Sequence, residues 1–219
     1  MFDSKVYSDR RNRLRSILND GVALFLGNRE SPMNYRANTF HFRQDSSFLY
    51  FFGLDQPGLA GVIDCTTGED TIYGNDLTME DIIWMGYQEK LNEKAKRTGM
   101  SLVRPMEKLA GDLCKAMAKN RKIHYLPPYR EERKAQLAYT LSIDFGKSED
   151  SCSEDLIRAI ITQRSVKDDM EIDEIESTMT SVTRPMYLNA MKMAKPGLNE
   201  HEISGMIEGM ANRIVSEYT

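Results

Sequence analysis

Between Phe40 and Pro57 the chain packs six aromatic side chains, Phe40, Phe42, Phe48, Tyr50, Phe51 and Phe52, around one polar cluster, Arg43-Gln44-Asp45-Ser46, and closes the block on Gly53 and Pro57. So many large apolar groups in so short a stretch belong in a core or an interface. The polar cluster among them needs partners, because an unpaired buried Arg or Asp costs several kcal/mol, on the order of the stability margin of a small domain. Arg43 and Asp45 are therefore expected to pair with each other or to cap nearby backbone. Arg43, Gln44 and Asp45 then form a structural cluster and not a catalytic one.

Periodicity around this block predicts alternating helices and strands. Leu14, Ile17 and Leu18 fall at helical spacing before Gly21, and the unbroken run Val22-Ala23-Leu24-Phe25-Leu26 reads as a strand buried on both faces. The stretches 59–65 and 70–73, joined by Thr66-Thr67-Gly68, read as a hairpin. Thr78-Met79-Glu80-Asp81 has the form of a capping box opening a helix through Ile82, Ile83 and Trp84. Pro105 marks a helix start, 123–126 a short strand and 131–141 another helix, while Ser151 with Glu154 caps a further one. The fold class is α/β: a mixed sheet of about five to six strands flanked by helices.

Near Gln163 the style changes. Ile172, Ile175, Met179, Val182 and Met186 step along one stripe of a long helix, which Pro185 should kink or restart. After the Lys195-Pro196-Gly197 turn, Asn199 and Glu202 cap a last helix bearing Ile203, Met206, Ile207, Met210 and Ile214. Its apolar stripe should dock on the 172–186 helix of the same chain or of a neighbour, since a stripe of this size is rarely left in water.

Charge and cysteine content narrow the function classes. Net charge is −4, with 28% charged residues of both signs interspersed, which argues against a nucleic-acid partner. Arg10, Arg11, Arg13 and Arg15 read as the wet face of a helix. Cys65, Cys114 and Cys152 are odd in number and widely spaced, so free thiols in a reducing compartment are expected. The first residues lack a signal peptide's apolar core and no run approaches a membrane span, so a cytoplasmic location and no membrane partner are expected.

Phe42-Arg43-Gln44-Asp45-Ser46, continued by Phe48-Leu49-Tyr50-Phe51-Phe52-Gly53-Leu54 and Pro57, resembles the corresponding run in the N-terminal domain of Xaa-Pro aminopeptidases (aminopeptidase P). Ile83-Trp84-Met85-Gly86 is similar to that domain's "IWxG" segment. Arg164 to Ile172 and the Lys195-Pro196-Gly197 turn with Glu200 resemble the entry of the pita-bread metallopeptidase domain shared by aminopeptidase P, prolidase and creatinase. The resemblance implies residues 1–163 as the N-terminal domain and 164–219 as the opening of the metallopeptidase domain, with Pro185 the main departure.

The resemblance further implies an enzyme that releases an N-terminal residue preceding proline. It would use two divalent metal ions, manganese being the usual family choice, on two Asp, one His and two Glu. Those ligands lie downstream of the two helices matched here. This stretch is therefore expected to be non-catalytic, to bind no metal or other cofactor, and to meet proline-containing peptides only through the missing domain. Its implied tasks are to shape the substrate cleft and to form a homo-oligomer. Creatinase-like chemistry is disfavoured by the FRQDS block. A different class also stays open, a non-catalytic peptide- or histone-binding module built on a related fold.

No other chemistry finds support. Asp144-Phe145-Gly146 has an Asp-x-Gly form but stands upstream of the domain entry and reads as a helix-to-loop turn. His41, His124 and His201 are far apart, and no nucleophile elbow, phosphate loop or zinc spacing occurs. Trp84, the only tryptophan, has two readings: packed in the core, or offered at a subunit interface.

Overall fold

The computed structural model describes residues 2–217, with side chains described through residue 212. Two compact units divide at Arg164 and Ser165.

In the first unit a five-stranded sheet has the order β6-β5-β4-β1-β7, built from β1 (Val22–Leu26), β4 (Ala60–Asp64), β5 (Asp70–Tyr73), β6 (Leu102–Arg104) and β7 (Ile123–Tyr125). β1/β4 and β4/β5 are antiparallel, whereas the outer pairs β5/β6 and β1/β7 are parallel. The apolar run of β1 is explained by its two faces. Ala23 and Phe25 join a core with α1 (Ser4–Leu18), α2 (Ser46–Phe52), α4 (Leu91–Arg97) and α7 (Glu154–Ser165). Val22, Leu24 and Leu26 join a second core with α5 (Lys108–Ala118) and α6 (Glu131–Leu141). Alternate side chains of a strand point to opposite faces, so a sheet covered on both sides needs every β1 position apolar. The protein is thus a mixed α/β structure with helices on both sides of the sheet.

The aromatic block forms α2. Asp45 caps its start, and Gly53 ends it with φ +65°, where Tyr7 lies so near that a Cβ would stand 2.3 Å from Cζ. Gly61 on β4 leaves the space into which the Phe52 ring packs, 2.3 Å from where a Cβ would be. A side chain at either position would push an aromatic ring out of the core. A small hairpin, β2 (Pro32–Tyr35) and β3 (Asn38–Thr39), stands apart from the main sheet.

Several local expectations shift. The 105–108 turn closes by bonds from Lys108 N–H to Pro105 O and from Leu109 N–H to Met106 O, so α5 begins three residues after Pro105. Ser153, not Ser151, caps α7 by accepting from Leu156 N–H at 3.3 Å. The largest correction concerns the arginines of α1: Arg10 and Arg11 are buried, not on the wet face. Tyr7, Arg11, Leu14 and Leu18 form one buried stripe, while Ile17 is exposed.

In the second unit, α8 (Asp169–Thr178) opens with a capping box between Asp168 and Glu171. It runs into a π-helical segment (Met179–Thr183) and α9 (Arg184–Met193). Pro185 donates no hydrogen bond, and its ring would crowd the carbonyl four residues back. The wider turn, in which Arg184 N–H donates to Met179 O, accommodates it without breaking the helix. α10 (Glu200–Glu217) packs on α9 and the π-helical segment, half-burying Ile203, Met206, Ile207 and Met210. The expected docking is thus made within the unit, toward its Pro185 end. Ile172 and Ile175 on α8 stay exposed, and the side chain of Ile214 lies outside the described residues.

Candidate functional site

Asp45 lies in a closed polar network. Its Oδ1 accepts from Ser47 N–H at 3.0 Å and Phe48 N–H at 2.9 Å, capping α2. Its Oδ2 accepts from Arg133 Nη1 and from the Tyr129 hydroxyl, each at 3.2 Å. Gln44 Oε1 accepts from Asn28 N–H at 2.7 Å and Asp45 N–H at 2.9 Å, and its Nε2 donates to Gln56 O at 2.7 Å. Arg133 also reaches Leu26 O and stacks on the Tyr129 ring, 4.9 Å from its centroid. The network therefore ties the end of β1, the start of α2 and the face of α6 together. The cavity beside Asp45 and Arg133 is about 20 Å³, room for a water and nothing larger.

Arg43 corrects the expected pairing. Its carbonyl accepts from Asn28 Nδ2 at 2.7 Å, but its side chain is exposed and makes no hydrogen bond or ion pair among the described residues. Asp45 instead takes its charge partner from 88 residues away. The turn into α2 aims the Asp45 carboxylate at the helix N-terminus, where Ser47 N–H and Phe48 N–H hold it. Arg133 and Tyr129 were not foreseen, although Arg133 falls on the stripe of Leu137 and Leu141 at steps of four, where an Arg must be buried.

α3 (Met79–Met85) presents a different surface. Thr78 and Asp81 form the predicted capping box, yet the helix buries none of its side chains. Trp84 is 83% exposed, so of its two readings core packing is excluded within this chain. Met79, Ile83, Met85 and Tyr87 are exposed beside it. Monomeric proteins rarely leave so large an apolar cluster in water. Next to it opens a pocket of about 640 Å³ between α3, α4 and the turn at Gln56 and Pro57.

Among the described residues no group of three or more His, Cys, Asp or Glu side chains could hold a metal ion. The residues present do not fit the dinuclear site that the resemblance implies. Asp144 accepts from Gly146 N–H at 2.8 Å and so caps its own 3-10 turn. His41 and His201 are exposed, while His124 is buried, with Nδ1 2.6 Å from Ser153 Oγ. Burial, helped by Lys122, holds the His124 pKa below its ordinary value. Burial also pushes the Cys65 thiol up to about 11, which makes it a poor nucleophile. No helix among the described residues is long and apolar enough to cross a membrane.

Comparison with known proteins agrees with this architecture. Residues 7–125, 119 of 219, match the family profile described as "Aminopeptidase P, N-terminal domain". The Xaa-Pro dipeptidases of Homo sapiens and Rattus norvegicus are 25% and 24% identical over 202 and 200 residues, 90% of this chain. The chain spans 40% of the length of each of these relatives. Pseudomonas aeruginosa aminopeptidase PepP superposes with a TM-score of 0.78 at 18% identity, over 97% of this chain and 50% of that one. Zn-substituted Escherichia coli aminopeptidase P in complex with product does so with a TM-score of 0.76 at 17% identity, over 97% and 50%. At such identities the structural likeness speaks for the fold.

Proposed function

The chain belongs to the aminopeptidase P N-terminal domain family, and from that premise we propose that it is the N-terminal portion of a metal-dependent Xaa-Pro aminopeptidase. The whole enzyme would release the N-terminal residue that precedes proline, with two divalent ions, manganese by preference, held by residues beyond those described. Residues 1–163 would form the N-terminal domain and 164–219 the opening of the metallopeptidase domain. The portion described would be non-catalytic: it would wall the substrate cleft and assemble the oligomer, in the cytoplasm.

One observation carries this division of labour. The FRQDS block turns Gln44 and Asp45 inward onto backbone, Tyr129 and Arg133, while α3 leaves Trp84 and its apolar neighbours exposed to solvent. The first is a scaffold and the second is an interface. Two measurements test it. This chain, supplied with Mn²⁺ and an Xaa-Pro peptide, should release no amino acid, and stoichiometric metal-dependent release would overturn the non-catalytic assignment. In sedimentation the chain should self-associate, and Trp84→Ala should weaken that association without lowering the unfolding midpoint; unchanged association would remove Trp84 from the interface.

A further inference from the structure

Just beyond the end of β1 lies a cavity of about 290 Å³, lined by Asn28, Arg43, Gln44, Ser46, Tyr129 and Arg130. Two arginines are among these six residues and no carboxylate is, a formal balance of +2. A concavity lined by charge of one sign focuses its field and concentrates ions of the other. Asp45, which accepts from Tyr129, does not offset this. Arg133 already pairs with it, and both of its oxygens are engaged.

The floor and one wall of the cavity are fixed in place. Asn28 and Gln44 are each 3% exposed, and they spend their amide donors inside the fold, Asn28 Nδ2 on Arg43 O and Gln44 Nε2 on Gln56 O, each at 2.7 Å. The Tyr129 hydroxyl bonds to Asn28 Oδ1 at 3.3 Å and to Asp45 Oδ2 at 3.2 Å, while Arg133 stacks on its ring. The donors left over are cationic or hydroxylic. Arg43 has its backbone held by Asn28, but its guanidinium has no partner among the described residues. Arg130 gives Nη1 to Glu132 at 3.1 Å and keeps its remaining N–H groups. The Ser46 hydroxyl is exposed and has no hydrogen bond among the described residues.

We propose that this cavity binds a phosphate group, free or carried as the ester of a small molecule, between Arg43 and Arg130, with the Ser46 hydroxyl as a further donor. Each guanidinium presents a planar fork that matches two phosphate oxygens, and a dianion can satisfy two forks at once. The volume lies at the lower end of small-molecule sites, which suits a compact ester. The inference does not rest on the peptidase reading. It gives Arg43 a task distinct from that of Gln44 and Asp45, whose side chains are used up in holding the fold.

Calorimetric titration of the whole chain at constant ionic strength tests this, with inorganic phosphate, glycerol phosphate and acetate as probes. Phosphate should bind saturably at one site, and acetate at least about tenfold more weakly, since it brings one charge to two forks. Arg43→Gln and Arg130→Gln should each weaken phosphate binding about tenfold to a hundredfold, the loss expected when a charge-assisted hydrogen bond is removed. Circular dichroism of both variants should match the unmodified chain. Arg36→Gln, an exposed arginine outside the cavity, should leave binding unchanged. Tighter binding of glycerol phosphate than of inorganic phosphate would support the site with the ester as its ligand, and the reverse order would support it with the free ion. Heat that never saturates, acetate binding as tightly as phosphate, or an equal loss in Arg36→Gln would overturn the proposal.

Discussion

Arg11 Nε donates to Asp70 Oδ2 across 2.7 Å, at a point where Arg11 is 1% exposed. The same guanidinium donates through Nη1 to Phe51 O at 2.8 Å and through Nη2 to Thr98 O and Gly99 O, each at 3.2 Å. These carbonyls lie at the C-terminal ends of α2 and α4, where helix dipoles present partial negative charge. One buried cation therefore serves two helix ends and a strand carboxylate. Burial draws its pKa below the ordinary value while Asp70 draws it back up.

Arg11→Ala should destabilise the first unit by about 2 to 4 kcal/mol, because it leaves three carbonyls without their donor and takes from Asp70 one of its two arginine partners, Arg15 being the other. Arg11→Lys should recover only part of this, since an ammonium cannot reach all four acceptors. Urea unfolding measures both. A loss below about 1 kcal/mol for the alanine variant would show that water replaces the guanidinium at no cost.

Asp45 and Arg43 stand two residues apart and should respond very differently. Asp45→Ala removes a helix cap and leaves Arg133 without its carboxylate, an expected cost of about 3 to 5 kcal/mol. Arg43→Ala should stay within about 0.5 kcal/mol of the unmodified protein, because its side chain meets solvent. Equal costs in denaturant titration would mean that the pairing drawn from the structure is wrong.

His124 should make stability depend on pH. Its pKa in the folded protein lies below the ordinary value near 6.5, so the unfolded chain takes up the proton first as pH falls. The contribution is fully present above the ordinary value and is lost as pH drops from there toward the lowered folded value. Unfolding free energies from pH 7.5 to 5 should fall more steeply for the unmodified chain than for His124→Gln. Parallel curves would assign the dependence to other groups.

The cysteines should label in order. Cys114 is exposed on α5, whereas Cys65 is partly buried with its thiol pushed up to about 11. In the folded protein at neutral pH an alkylating reagent should take Cys114 first and Cys65 more slowly, because less of its thiol is accessible and less of it is thiolate. Mass spectrometry of a time course reads the order, and early modification of Cys65 would contradict its burial.

What the sequence determined by itself is what neighbours along the chain decide. The apolar run of β1, the hairpin of β4 and β5, the capping box of α3 and the Asn199–Glu202 contact before α10 all rest on groups close to one another along the chain, where periodicity and turn chemistry are informative. The fold class was legible for the same reason. Tertiary structure alone decided which distant groups meet: Asp45 with Arg133, Arg11 with Asp70, and Trp84 with solvent instead of core. Local pattern marks a position as buried or a residue as charged, but an arginine on a buried stripe is legible only as a demand for acceptors. Which carboxylate and which helix ends meet that demand follows from how the sheet and its two helical layers close, because only that closure brings residues 40 to 90 apart in sequence within hydrogen-bonding distance.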